Sequence, residues 1–281
     1  MSQVQAAPGQ HVPMLVREAR VLRGPHLYSH LPMVRIELDL GTLEDHPTDM
    51  LPGFTEALIQ HLPGLEKHGC SYGEAGGLVR RMRDGTWLGH VAEHVALELQ
   101  CMVGNRVTRG KTRSVKGRPR HYYVMYSYLD ERIALAAGRL ALELIDSLLP
   151  VELRGLDGAD RIAPGDEPLE FTTALEKLQS LAARRALGPT TASLVHEAER
   201  RGIPFARLDD SSLFLLGHGR NQKRVRASCS DLTSEVATDI AADKDLTKVL
   251  LGAAALPVPK GELVRTARTP VLLRSGWAIR W

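Results

Sequence analysis

Two stretches near the start of the chain alternate apolar and charged side chains. Residues 14–22 read Met-Leu-Val-Arg-Glu-Ala-Arg-Val-Leu, and residues 33–40 read Met-Val-Arg-Ile-Glu-Leu-Asp-Leu. A period of two is typical of strands with one buried face and one face in water. We therefore predict two strands of a shared sheet, and a disordered lead over residues 1–13.

Helical periodicity dominates the next hundred or so residues. Helices are predicted over residues 52–62 and 78–83, and a clear one over residues 130–149, where Ile133 and Leu140 lie on an apolar stripe that ends before Pro150. An aromatic, β-prone strand is predicted over residues 121–128. Strands and helices in this order, without regular βαβ alternation, predict an α+β domain over residues 14–150. It would have a small antiparallel sheet with helices on one face.

The second half of the chain begins with a change of composition. Glycine, proline and charged residues are frequent over residues 151–166, which predicts a linker. A second region is predicted over residues 167–261, and residues 262–281 form an atypical tail. The pattern inside this region predicts helices over 169–187, 189–201, 234–242 and 244–254, and strands over 203–208, 213–216 and 222–229.

Bulk composition places the chain among ordinary globular proteins. Hydrophobic residues make up 43% and charged residues 25%, and the net charge of +3 is too mild to indicate nucleic acid by itself. No apolar run is long enough for a membrane span, and the first residues lack a signal-peptide pattern, so we predict a cytoplasmic protein without a membrane partner. The three cysteines form no Cys-x-x-Cys pair, which argues against both a disulfide framework and a cysteine zinc site.

The helix predicted over residues 86–103 contains the most informative motif. Thr86 is a suitable N-cap, and Gly104 provides a stop. One face of this helix is apolar, whereas His90, Glu93 and His94 lie on the other side. Histidines at positions i and i+4 can bind one cation, and Glu93 is placed to act as general base. The pattern His-x-x-Glu-His is that of the inverted zinc peptidases.

A third metal ligand must come from another element. Glu131, in the first turn of the helix over residues 130–149, is the predicted ligand, with Asp130 and Glu98 as alternatives. Glu131 could instead simply interact favourably with the helix N-terminus. The structural alternative for the histidines is a polar face that hydrogen-bonds to a neighbouring element or to Glu98.

Residues 106–120 contain seven basic side chains. They predict either an anion-binding hairpin over the histidine site or a solvated, mobile loop. Nucleic-acid binding is a third interpretation, weakened because the rest of the chain balances this charge. The residues predicted to bind an acidic substrate are Arg106, Arg109, Lys111, Arg113 and Arg118.

These motifs together resemble the N-terminal part of the cyanophycin synthetases. The resemblance covers nearly all of residues 14–261. The matching stretches are residues 18–25 (Glu-Ala-Arg-Val-Leu-Arg-Gly-Pro), 38–41 (Leu-Asp-Leu-Gly), 51–54 (Leu-Pro-Gly-Phe), 76–77 (Gly-Gly), 85–100 (Gly-Thr-Trp-Leu-Gly-His through Leu-Gln), 110–113 (Gly-Lys-Thr-Arg), 187–190 (Leu-Gly-Pro-Thr) and 243–248 (Asp-Lys-Asp-Leu-Thr-Lys).

The resemblance implies an ATP-dependent ligase that builds a polymer of aspartate with arginine on each side chain. In that family an N-terminal domain holds the polymer, an ATP-grasp domain adds aspartate and a Mur-ligase-like domain adds arginine. In some members the N-terminal domain also resembles a zinc peptidase that cuts the polymer. Residues 14–150 would be that N-terminal domain, and residues 167–261 a partial α/β ATP-grasp subdomain. Cyanophycin is then the expected partner and zinc the expected metal, on His90, His94 and Glu131 with Glu93 as the catalytic base.

The sequence departs from the family near its end. The family continues for hundreds of residues past Gly261, whereas residues 268–281 no longer resemble it, as a frameshift or premature stop would produce. ATP and magnesium are therefore not expected to bind this chain, and binding or zinc-dependent hydrolysis of the polymer is its expected activity. A non-catalytic polymer-binding module is the alternative, and an exposed half-domain would favour homo-oligomers.

Overall fold

The computed structural model describes residues 11–165, 170–259 and 261. Contacts divide the chain into two units, Met1–Ser228 and Cys229–Trp281, which are described separately. Most of the predicted lead and all of the predicted tail lie outside the described residues. The division falls at Ser228 and not at the predicted linker.

The first unit mixes helices and strands in the irregular order that predicts an α+β fold. Its strands are β1 (Met14–Leu22), β2 (Met33–Asp39), β3 (Gly110–Ser114), β4 (His121–Ser127), β5 (Leu156–Asp157), β6 (Phe205–Arg207), β7 (Leu213–Leu216) and β8 (Lys223–Arg226). Its helices are α1 (Phe54–His61), α2 (Gly77–Arg83), α3 (Leu88–Met102), α4 (Glu131–Ser147), α5 (Phe171–Arg185) and α6 (Pro189–Arg200).

A five-stranded sheet in the order β3-β4-β2-β1-β5 forms the centre of this unit. The first four strands are antiparallel neighbours, whereas β5 runs parallel to β1 at the edge. The predicted sheet was antiparallel throughout, and β5 belongs to the segment predicted as a linker. That segment is structured because Ile162 also packs into the core. The basic loop likewise contains a strand, β3, which pairs with β4.

The helices α3 and α4 pack on one face of this sheet. Val34 and Ile36 of β2 lie opposite Tyr126 and Val124 of β4, and all four are buried. Gly138 of α4 permits the close approach, because a Cβ there would come within 1.9 Å of the Tyr126 hydroxyl. The alternation seen in the sequence therefore separates a buried face from one rich in ion pairs.

The remainder of the first unit adds α5 to this core, whereas Val195, Ala198, Phe205 and Phe214 of α6, β6 and β7 form a second, smaller cluster. Helix α5 packs against α4, and Leu178 of α5 belongs to the main hydrophobic cluster. Strands β6, β7 and β8 form antiparallel pairs. Arg185 of α5 and Arg207 of β6 both donate to Asp130, the N-cap residue of α4.

The described part of the second unit contains one short strand and two helices, β9 (Cys229–Ser230), α7 (Glu235–Ala242) and α8 (Lys244–Ala253). Asp243 caps α8 by accepting from the backbone N–H groups of Asp245 and Leu246. Among the described helices of both units, none combines the length and the apolar character that a membrane span requires.

Candidate metal centre

The N-cap residue of helix α3 lies one position later in the sequence than predicted. Trp87 occupies the N-cap position, and Thr86 has other partners. The Thr86 N–H donates to the Thr48 hydroxyl at 3.0 Å, and its own hydroxyl lies 3.0 Å from Nδ1 of His90. Thr86 therefore orients a histidine of the motif and does not cap the helix.

The polar side of α3 is covered by protein and is not a solvated face. Glu93 is 5% exposed and His94 is 8% exposed, although helical geometry places both away from the apolar stripe. The segment around His68 covers one end of this side, and Thr112 of β3 covers the other. Glu93 and His94 lie off the apolar stripe of α3, as predicted. They are nevertheless buried, because the segment around His68 and strand β3 pack over them.

A cysteine, a histidine and a second histidine meet at this buried side. Cys70 Sγ lies 3.3 Å from Nε2 of His90. One ligand atom each from Cys70, His90 and His94 lies within 4.8 Å of the others. Two ligands of a tetrahedral zinc lie roughly 3.5 Å apart, given bonds of about 2.0 Å to nitrogen and 2.3 Å to sulfur. The donor set and its spacing thus fit a zinc ion with three protein ligands.

Cys70 was not among the predicted site residues, because a single cysteine without a nearby partner gives no zinc signal in sequence. It has a φ of 48°, in the left-handed region that a non-glycine residue rarely occupies. Such conformations concentrate at functional sites. The sequence around Cys70 gives no indication that its thiol reaches His90.

Glu131 does not join this cluster. Both of its carboxylate oxygens accept from the Arg23 guanidinium, at 2.7 Å each. Of the two alternatives, Asp130 caps α4 and accepts from arginines, and Glu98 accepts from His68 at 3.0 Å. Within the described residues, Cys70 and not Glu131 is the third potential ligand beside His90 and His94.

Burial keeps both histidines of the motif neutral. It lowers the pKa of His90 to about 4, with a smaller contribution from the positive charge of Arg81. It lowers the pKa of His94 to about 3, helped by the proximity of His90 and His68. Neutral imidazoles offer lone pairs at physiological pH, which is the state that a metal ion requires.

The Glu93 carboxyl has the opposite shift. Burial raises its pKa to about 7, although the Thr112 hydrogen bond and the Arg109 charge oppose that rise. The Thr112 hydroxyl donates to Oε2 of Glu93 at 2.6 Å. Gly110 leaves room for the other oxygen, since a Cβ there would lie 2.3 Å from Oε1. A carboxyl with this pKa can accept and return a proton near neutral pH.

The cluster opens into a cavity of about 890 Å³. Two of the five predicted basic residues, Arg109 and Lys111, line it, whereas Arg106, Arg113 and Arg118 do not. Arg118 instead pairs with Glu37 at 2.8 Å. Two basic residues that the sequence did not single out, Lys67 and Arg81, complete the cationic lining.

An aromatic pair lies at the edge of the same cavity. The rings of Trp87 and Tyr122 stack with centroids 6.3 Å apart, and Trp87 is 42% exposed. The Tyr122 hydroxyl donates to Glu44 at 2.9 Å. This places a flat π surface beside the basic groups.

Comparison with known proteins shows which family this chain resembles. Residues 35–150 match the family model described as cyanophycin synthase-like N-terminal domain. Among curated proteins, the cyanophycin synthetase of Geminocystis herdmanii is 36% identical over 253 residues, that of Trichormus variabilis 39% over 254 residues, and that of Synechocystis sp. 38% over 255 residues. The resemblance found in the sequence is confirmed.

The two sides of these alignments differ in coverage. They include 89% to 90% of this chain but 27% to 28% of each relative. The chain therefore spans a little over a quarter of the length of the curated relatives it matches.

Proposed function

We propose that this chain, whose residues 35–150 match the cyanophycin synthase-like N-terminal domain, belongs to the cyanophycin synthetase family, binds the aspartate–arginine polymer and hydrolyses it at a zinc site. The observation that supports this most directly is the meeting of Cys70, His90 and His94 beside Glu93 in one basic cavity. The His-x-x-Glu-His motif is typical of zinc peptidases, which cut amide bonds.

Zinc would be held by Cys70, His90 and His94. When bound there, it supplies Lewis-acid polarisation of the scissile carbonyl and activates a water molecule. Catalytic zinc sites have three protein ligands and keep a fourth position open. The proposal replaces the ligand Glu131, predicted from the sequence, with Cys70.

Glu93 would serve as the general base and later as the general acid. With a pKa of about 7 it is partly ionised at neutral pH, so it can remove a proton from the attacking water and return it to the leaving amine. Thr112 holds Oε2 in a fixed hydrogen bond, and the absence of a side chain at Gly110 leaves space for Oε1.

The basic residues of the cavity would hold the carboxylates of the polymer. Within the described part of the chain, the side chains of Lys67, Arg81, Arg109 and Lys111 form no ion pair, so their charges are available to an anionic ligand. The Trp87–Tyr122 pair offers the polymer's guanidinium groups a cation–π surface. Arg106, Arg113 and Arg118 would contact the polymer only outside the cavity.

Residues 167–261 are proposed to be the opening subdomain of an ATP-grasp unit. The similarity to the curated synthetases supports this, since alignments of 253 to 255 residues extend beyond the matched domain. The proposal for the described residues is confined to polymer binding and hydrolysis, and it includes no binding of ATP.

The direct test is to incubate the purified chain with cyanophycin, with and without a chelator, and to analyse the soluble products by mass spectrometry. We expect short aspartyl-arginine peptides whose release stops when zinc is removed and resumes when zinc is restored. Release that is indifferent to the chelator would reject the zinc mechanism. Polymer binding without release would leave a holding module, the second candidate function.

A variant series assigns the roles. Glu93→Gln should abolish release, by a factor of about 10² to 10⁴ for a lost general base, while zinc stays bound. Cys70→Ser should weaken zinc binding itself. Arg106→Gln, outside the cavity, serves as the matched charge control for Arg109→Gln. Equal turnover of Glu93→Gln and the unmodified protein would exclude Glu93 as the base.

A further inference from the structure

A further histidine, His68, and the carboxylate of Glu98 lie next to His94. Nδ1 of His94 lies 2.9 Å from Nδ1 of His68, and Nε2 of His68 lies 3.0 Å from Oε2 of Glu98. The side chains of His68 and Glu98 are 17% and 14% exposed, so water competes little with these contacts. The three groups form one hydrogen-bonded series that ends at the metal cluster.

The chemistry of the groups determines where the hydrogens lie. An ionised carboxylate only accepts, so Nε2 of His68 must carry the hydrogen of its contact with Glu98. With His68 in its neutral form, the ring has a single N–H, which leaves Nδ1 of His68 as an acceptor. The hydrogen between the two rings therefore belongs to Nδ1 of His94, and Nε2 of His94 has a free lone pair.

We propose that Glu98 and His68 are positioning residues that hold His94 in the tautomer able to bind zinc through Nε2. This inference rests on the zinc site proposed above and extends it beyond the His-x-x-Glu-His motif. The sequence placed Glu98 among alternative metal ligands, whereas here it acts on the metal through two imidazoles. His90 differs, because its Nδ1 meets the neutral hydroxyl of Thr86.

The local backbone makes room for this series. His90, His94 and Glu98 are spaced by four residues along α3, so they lie on one side of the helix. Gly64 packs against the carboxylate, and a Cβ at that position would lie 1.7 Å from Oε1 of Glu98. His68 is fixed by its own backbone, since its carbonyl accepts from the Leu78 N–H at 3.0 Å.

Outer partners of this kind orient a ligating histidine and raise its basicity, and their loss typically costs about 10-fold to 100-fold in metal affinity. We therefore expect Glu98→Gln and His68→Leu to weaken zinc binding by a factor in that range, measured by competition with a chromogenic chelator. Gly64→Ala should have the same direction of effect, because the new methyl group displaces the Glu98 carboxylate. His68→Asn is the conservative variant, since its amide oxygen can accept from His94 and should recover most of the affinity lost in His68→Leu.

A second measurement needs no metal and no activity. Nitrogen-15 spectra of the histidine rings in chelator-treated protein at pH 8 distinguish Nδ1–H from Nε2–H. We expect His94 to be protonated on Nδ1 in the unmodified protein and in His68→Asn, and to lose that preference in His68→Leu. His94 protonated on Nε2 in the unmodified protein would overturn the proposal.

The two measurements separate this inference from the zinc site. If the unmodified protein binds no zinc, the proposed function fails, and the tautomer of His94 still decides the role of His68. If it binds zinc, and Glu98→Gln and Gly64→Ala bind equally well, the positioning role is rejected while the zinc site stands. Glu131→Gln, outside the cluster, is the matched control and should leave the affinity unchanged.

Discussion

Two acidic residues of the first unit are equally buried but differ in how many hydrogen-bond donors and positive charges surround them. Asp130 and Glu93 are each 5% exposed. Asp130 accepts from two backbone N–H groups at the start of α4, from Nε of Arg185 at 2.6 Å and from Nη1 of Arg207 at 3.0 Å. Glu93, within the described residues, accepts from the Thr112 hydroxyl and faces a cavity.

This contrast separates a structural charge from a reactive one. Around Asp130 the guanidinium groups and the helix N-terminus compensate the loss of water, so the carboxylate stabilises the packing of α4, α5 and β6. Around Glu93 the compensation is incomplete, and the pKa rises to about 7. A carboxyl left with a shifted pKa beside candidate metal ligands is suited to proton transfer. Burial alone would not distinguish the two.

The largest expected effect on the free energy of unfolding comes from replacing Asp130, the structural carboxylate of the pair. Asp130→Ala would remove the carboxylate partner of the buried Arg207, would leave Arg185 with only the exposed Asp210, and would remove the cap of α4. Loss of one partner from a buried ion pair costs about 3–5 kcal/mol. Urea unfolding should show a decrease in the free energy of unfolding of that size.

Asp210→Ala is the control for this substitution. Asp210 pairs with Arg185 at 2.9 Å, but its side chain is 62% exposed, so we expect a much smaller loss of stability than for Asp130→Ala. Similar losses of stability for the two variants would show that burial of the Asp130 ion pairs contributes little. The assignment of Asp130 as a structural charge would then be rejected.

The second largest expected effect concerns Glu93 and the pH dependence of the unfolding free energy. Because the folded-state pKa of Glu93 is near 7 and its ordinary value is 4.5, the folded protein binds more protons between these pH values. Stability linked to the protonated form is therefore lost as pH rises through about 7. Glu93→Gln should be more stable than the unmodified protein by roughly 3 kcal/mol at pH 8, and by much less at pH 5.

The measurement is urea unfolding of chelator-treated protein at several pH values from 5 to 8. The quantity of interest is the difference in unfolding free energy between Glu93→Gln and the unmodified protein. A difference that stays constant across this range would mean that Glu93 is ionised throughout, and its proposed role in proton transfer would lose its support.

Local elements of the fold follow closely from the sequence. Alternation gave β1 with its observed bounds, and the stripe that ends before Pro150 gave α4 within two residues at each end. These patterns work because one face of each element must be buried, and burial leaves a period in the sequence. The α+β class follows from the order of those elements.

Contacts between distant segments do not follow from the sequence in the same way. The spacing of His90 and His94 predicts a shared cation because both lie on one helix, but no period connects them to Cys70 or His68. Composition predicts a linker at residues 151–166, and it gives no sign that Leu156–Asp157 within this range forms the edge strand β5. What a segment packs against depends on tertiary structure that its own residues do not encode locally.

The smallest expected effect tests which acidic or thiol group completes the metal site. Glu131 is bound to Arg23 in an ion pair whose side chains are 32% and 61% exposed. Glu131→Gln should therefore cost less than about 1 kcal/mol in unfolding free energy and should leave zinc affinity unchanged.

Cys70→Ser changes one atom at the cluster and should reduce that affinity, as judged by chelator competition. The reverse result, with zinc lost in Glu131→Gln and kept in Cys70→Ser, would restore the ligand that the sequence predicted and would require the Arg23 ion pair to open when metal binds.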